Sequence, residues 1–185
     1  MISLTRLRAG FELLLETIVI LLVTALTIII IVGVIFRYTG RSLVWYDEVA
    51  SIGLVWLTYY GSALAALKGA HIGVPGFVNA MPPRARVAAT LFAETIVLLF
   101  FIALAVTGVE VLVVLGNDRL VSLPNVSLRV TDSAIPIGAV LFIIAELVRF
   151  PSVLRDARGT GFVDAELKEA LELAAKAAPP RRGRQ

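Results

Sequence analysis

Cysteine is absent from this 185-residue chain, and histidine occurs once, at His71. Disulfides, thiolate metal sites, iron–sulfur clusters and cysteine nucleophiles are therefore excluded. A lone imidazole also rules out a two-histidine metal site and a haem held by two histidines. Charge is scarce too. Asp, Glu, Lys and Arg make up 17% of the chain, whereas soluble domains carry about 25%.

What fills the space is apolar: 58% of residues are hydrophobic and the mean hydropathy is +0.90. A soluble domain of this size buries only about 70% of its chain surface, too little to hide so much apolar area. The composition is that of a membrane protein. A net charge of +3 and a pI near 9.6 do not mark a nucleic-acid binder. The basic residues fall between and after apolar runs, where orientation in a bilayer explains them.

A spanning helix needs about 20 mostly apolar residues. Thr17–Phe36 gives 20 without a charge, and Val49–Leu67 gives 19 between Glu48 and Lys68. A third span runs from about Val87 to Leu115 and contains Glu94 and Glu110. A fourth, about Val130–Val148, carries Asp132 near one end and Glu146 near the other. The fold class is an all-α integral membrane protein with four transmembrane helices and short interfacial amphipathic helices. Residues 1–150 form the membrane domain and 151–185 a tail. The first span is retained as a signal anchor, because Phe36-Arg37-Tyr38 offers no small-residue cleavage site.

Four spans place both termini on one side. That side holds 13 Lys and Arg against 4 opposite, or 8 against 4 without the distal tail. The positive-inside rule then puts both termini in the cytoplasm.

Two connecting segments read as interfacial. In Ile2–Leu15 the residues Leu4, Leu7, Phe11 and Leu14 share a helical stripe. Val74, Phe77, Val78 and Met81 follow the same pattern, with Pro75 able to start a helix and Pro82-Pro83 ending it. Such helices lie flat among headgroups; for Ile2–Leu15 the sequence leaves two readings open, a flat helix or an extension of span one. Asp164–Ala178 reads as a marginal solvated helix with Asp164 as its N-cap, and Arg181, Arg182 and Arg184 suit anionic lipid.

Acids inside a membrane are functional candidates by default. Glu94 and Glu110 stand 16 residues apart, about 24 Å and about 160° around one helix, so they cannot form a dyad. Glu146 and Glu94 both lie toward the basic ends of their helices and could meet there. The preferred reading is structural, each acid snorkelling to an interface, with Arg149 three residues beyond Glu146. His71 suits the negative end of a helix dipole, and the Asn125-Val126-Ser127 sequon is disregarded. No nucleotide cradle, metal-ligand pair or serine–histidine arrangement occurs, so neither an enzyme nor a cofactor is expected.

One constellation stands out around the first turn. Arg37-Tyr38 closes span one, and Ser42-Leu43-Val44-Trp45-Tyr46-Asp47-Glu48 opens span two. The acids favour a helix N-terminus, the aromatics suit an interfacial belt, and Arg37 and Glu48 are close enough to pair. Span two continues with Trp56, Tyr59-Tyr60, Gly61, Ser62, Ala63, Ala65 and Ala66. Small residues there admit a second helix.

These residues, with His71-Ile72, then Pro82, Arg84 and Arg86, and later Pro136 and Gly138, resemble the small membrane (DctQ-type) subunit of tripartite ATP-independent periplasmic (TRAP) transporters. The likeness covers roughly Leu15–Phe150. It departs where the aromatics expected before Pro136 are replaced by Leu128, Arg129, Thr131 and Asp132. The resemblance implies a bacterial inner-membrane protein partnered by a large multi-spanning subunit, which carries substrate and sodium. A periplasmic binding protein would capture the substrate, typically an organic acid. Arg37, Tyr38, Trp45, Glu48, Trp56, Gly61 and His71 are the motif residues, with roles in helix placement and subunit contact. The alternative is a self-sufficient proton-coupled transporter, a homodimer using Glu94 or Glu146.

Overall fold

The computed structural model describes residues 4–69, 75–159, 161, 162 and 173. Six helices occur among them: α1 (Leu4–Tyr38), α2 (Tyr46–Lys68), α3 (Pro75–Asn79), α4 (Pro83–Val114), α5 (Leu128–Asp132) and α6 (Ala134–Arg158). Four stretches are long and apolar enough to cross a membrane: Arg8–Tyr38, Tyr46–Lys68, Pro83–Val114 and Leu128–Arg158. The all-helical, four-span fold class expected from composition is therefore found.

The helix ends follow from local chemistry. Gly69 closes α2 in the left-handed conformation at φ 73°, its amide donating to Ala66 O. Pro83 opens α4, where a missing N–H costs nothing. α5 and α6 are separated at Ser133 because Pro136 has no amide for the carbonyl of Asp132, four residues back. Ile137 N resumes the ladder on Ser133 O at 3.1 Å.

The helices outrun the apolar runs that announce them. α1 is continuous from Leu4, so its first turns extend span one and do not form a separate flat helix. Its 35 residues reach about 52 Å, against a hydrocarbon layer of about 30 Å. The cause is packing at the first turns. Leu15 is fully buried, Phe11 packs beside it, and Arg8 Nη2 donates to Leu67 O at 3.3 Å. Lys68 pairs with Glu16 and lies 3.8 Å from Glu12. α6 likewise runs ten residues past Val148, through Pro151, to Arg158. α3 appears between the two proline signals as anticipated, although Val74 lies outside the described residues. The expected tail helix also lies outside them, except for Leu173.

α2 packs against α1 and α6, and α6 packs against α4. The spatial order is thus α1–α2–α6–α4, an open row with α1 and α4 at its edges. α1 presents Leu15, Val19, Leu22, Leu26 and Gly33 to α2, at intervals of four, three, four and seven residues. Across that seam Leu26 meets Gly53, and Tyr46 lies on Gly33. α2 and α6 run parallel and approach closely at Gly138, where an added Cβ would fall 2.4 Å from Tyr59 Cβ. α6 and α4 run antiparallel, with Phe101 stacked on Phe142 at 3.6 Å between ring centroids. Gly108 meets Pro136 on the same seam. Between membrane helices this intimacy replaces the hydrophobic drive that water would supply.

Candidate functional site

The motif residues divide between two surroundings. Arg37 and Tyr38 end α1 on the outside of the row, Tyr38 being 89% exposed. Trp45 sits half-buried at the N-cap of α2, its carbonyl accepting from Val49 N at 3.1 Å. Glu48, one turn in, does not pair with Arg37. Its carboxylate accepts from Val121 N at 3.3 Å, from Ser122 N at 2.9 Å and from the Ser122 hydroxyl. Three donors on one ionised group outcompete a single exposed ion pair. Glu48 therefore fixes the 115–127 loop, which an antiparallel bridge between Arg119 and Ser127 folds back on itself.

Trp56 extends the same theme. Its indole N–H donates to Thr131 O at 3.0 Å, and its ring stacks on Tyr60 at 5.6 Å. Glu48 and Trp56 thus both bind α2 to the segment that enters the fourth span. Gly61 differs, since a Cβ there would meet nothing within 4 Å. It lies on an open face of α2 with Ser51, Leu54, Thr58 and Ala65, spaced by threes and fours. His71 lies outside the described residues.

At the end of the row where α1 begins and α6 finishes, Arg86 is only 6% exposed. Its Nε donates to Ala157 O at 2.7 Å and its Nη2 to Gly159 O. The last carbonyls of a helix lack intrahelical partners and carry partial negative charge, which a guanidinium answers on both counts. Asn79 completes the clamp. Its Nδ2 donates to Phe162 O at 2.8 Å while its Oδ1 accepts from Phe162 N at 2.9 Å. Nothing local in the sequence marks this clamp, because its halves are over 70 residues apart. Gly33 and Gly138 carried a faint signal, since a glycine inside an apolar run implies close approach.

Glu94 and Glu146 meet side chain to side chain across the α4–α6 seam. Glu146 is 4% exposed, so it faces inward and does not snorkel. Glu110, at the other end of α4, is exposed. Among the described residues no cluster of His, Asp and Glu could hold a metal ion. A shallow groove of about 340 Å³ between Pro83, Arg84, Val87 and Arg158 contains no nucleophile paired with a base.

Four helical stretches long and apolar enough to cross a membrane, with no assembled reactive group among the described residues, define a multi-pass helical membrane protein. The family model for the DctQ component of tripartite ATP-independent periplasmic transporters matches residues 26–156, and the chain belongs to that family. This is a family of transporter components, not of enzymes. No curated protein matches the chain.

Proposed function

We propose that this chain is a scaffold: the small subunit that holds the large permease subunit of a TRAP transporter in place in the bacterial inner membrane. The observation that carries the reading is the open row. A closed bundle is complete in itself, whereas α1–α2–α6–α4 leaves even an inner helix with an uncovered face. On α2 that face is Ser51, Leu54, Thr58, Gly61 and Ala65, narrow enough for another helix to lie close. Thr58 and Ser51 turn their hydroxyls back to Leu54 O and Asp47 O, at 2.8 Å each, so the face asks for no polar partner.

In this reading residues 1–150 are the membrane unit, 151–185 a cytoplasmic tail, and both termini are cytoplasmic, as the 13-to-4 bias of Lys and Arg supports. The large subunit carries an organic acid with sodium, delivered by a periplasmic binding protein. A subunit that moves substrate across the bilayer needs a fixed frame. Helices of about 52 and 48 Å, longer than the hydrocarbon layer, suit one.

The test is uptake in cells that keep the large subunit but lack this chain. Sodium-dependent uptake of the organic acid should vanish and return when the chain is supplied from a second locus. Undiminished uptake without the chain would overturn the reading.

A further inference from the structure

A scaffold has no use for titratable groups inside the membrane, yet two carboxyls touch there. Glu146 on α6 is 4% exposed, and Glu94 on α4 contacts it across the seam. Arg149, one turn further along α6, places Nη1 3.6 Å from Glu146 Oε1. The second oxygen of each acid, Glu94 Oε2 and Glu146 Oε2, is buried without any hydrogen-bond partner. Two buried acceptors are therefore left without a donor on this seam.

Among the described residues the surrounding elements supply no further cation. From α2 the nearby core residues are Ala63, Ala66 and Leu67, with Tyr59 and Tyr60 farther along. Lys68 is committed to Glu16 and Glu12 on α1. Gly69 brings only backbone toward Arg149. On α4, Arg86 serves the carbonyls of Ala157 and Gly159, and the Thr90 and Thr95 hydroxyls donate to their own helix. On α6, Arg155 and Arg158 are exposed beyond the seam. Two carboxylates against one guanidinium would leave a net negative charge in an apolar seam, which is costly.

We propose that Glu94 and Glu146 form a one-proton site, in which the carboxylic acid of one residue donates a hydrogen bond to the carboxylate of the other. One proton cancels the excess charge against Arg149 and gives an unpartnered oxygen its donor. It is exchanged with water at the near end of the row, and no other group is transferred. Because α6 is the main support of α4, the proton also fastens the outermost helix to the row. A vacant site sets two carboxylates against each other and loosens that helix. The inference rests on the seam alone and stands whether or not the chain acts as a scaffold.

The test is infrared difference spectroscopy of the protein, purified with whatever partners it retains, in lipid at neutral pH. The wild type should show the carbonyl stretch of a protonated carboxylic acid, shifting in heavy water. Glu94→Gln and Glu146→Gln should each abolish that band while melting within a few degrees of wild type, because the remaining carboxylate is balanced by Arg149. Arg149→Gln should strengthen the band, since neutrality then requires both acids protonated. The double Gln variant, with Arg149 unbalanced, should melt below either single one. A wild type without the band would overturn the proposal, the more so if sodium raised its melting temperature, since a metal ion would then occupy the site. A band that survives in both single variants would also overturn it, by assigning the proton to another acid.

Discussion

Two glycines do the same work by different contacts, and the difference can be measured. At Gly33 an added Cβ would strike ring atoms of Tyr46, the nearest at 2.2 Å; at Gly138 it would strike the Cβ of Tyr59. Either alanine substitution should destabilise the fold by about 1–3 kcal/mol, the usual cost of overpacking. Removing the opposing ring should rescue only one of them. Tyr46→Ala relieves Gly33→Ala, whereas Tyr59→Ala keeps the offending Cβ and leaves Gly138→Ala as unstable as before. Thermal melts of the four variants check this, and equal rescue at both sites would contradict the packing described. Glu48 gives a second residue-scale expectation. Glu48→Ala should release the 115–127 loop and make it several-fold more sensitive to protease, while Arg37→Ala should not. In sequence, Arg37 was the natural partner for Glu48 because it stood eleven residues away. The true partners are more than 70 residues along the chain, and no local pattern reports contacts of that range.

Helix existence was legible at the element scale because an uncharged run of 20 residues has few alternatives in a bilayer. Helix length was not. Hydropathy ends a span where charge begins, but α1 and α6 continue through charged turns because those turns pack. Leu15 is buried against α2, and Arg86 closes the end of α6. The inward turn of Glu146 was hidden for the same reason, since periodicity alone does not choose between lipid and seam for an acid near a helix end. The open face of α2 carries the element-scale prediction. Gly61→Trp should leave the melting of this chain alone nearly unchanged, because among the described residues nothing lies within 4 Å of a Cβ at that position. Recovery of the large subunit with it should fall at least several-fold. Phe100→Trp on the exposed side of α4 should change neither quantity. Equal recovery with Gly61→Trp would move the contact to another face.

As a whole molecule, the chain is a row of four spanning stretches fastened at both ends. Glu48 and Trp56 hold the end that carries the long loop, and Arg86 and Asn79 hold the other. The middle is sealed by glycines and aromatic rings, and its broad faces are apolar. In the proposed scaffold reading, the uncovered apolar faces of this row are where the large subunit would stand. The resemblance carried by the Arg37-to-His71 stretch implied membership of the DctQ family, and the family match over residues 26–156 bears that membership out. The direct measurement is purification of the chain from native membranes in mild detergent, with mass spectrometry of what accompanies it. The scaffold account predicts a stoichiometric multi-spanning partner. Isolation of the chain alone, as a monodisperse homodimer, would contradict it.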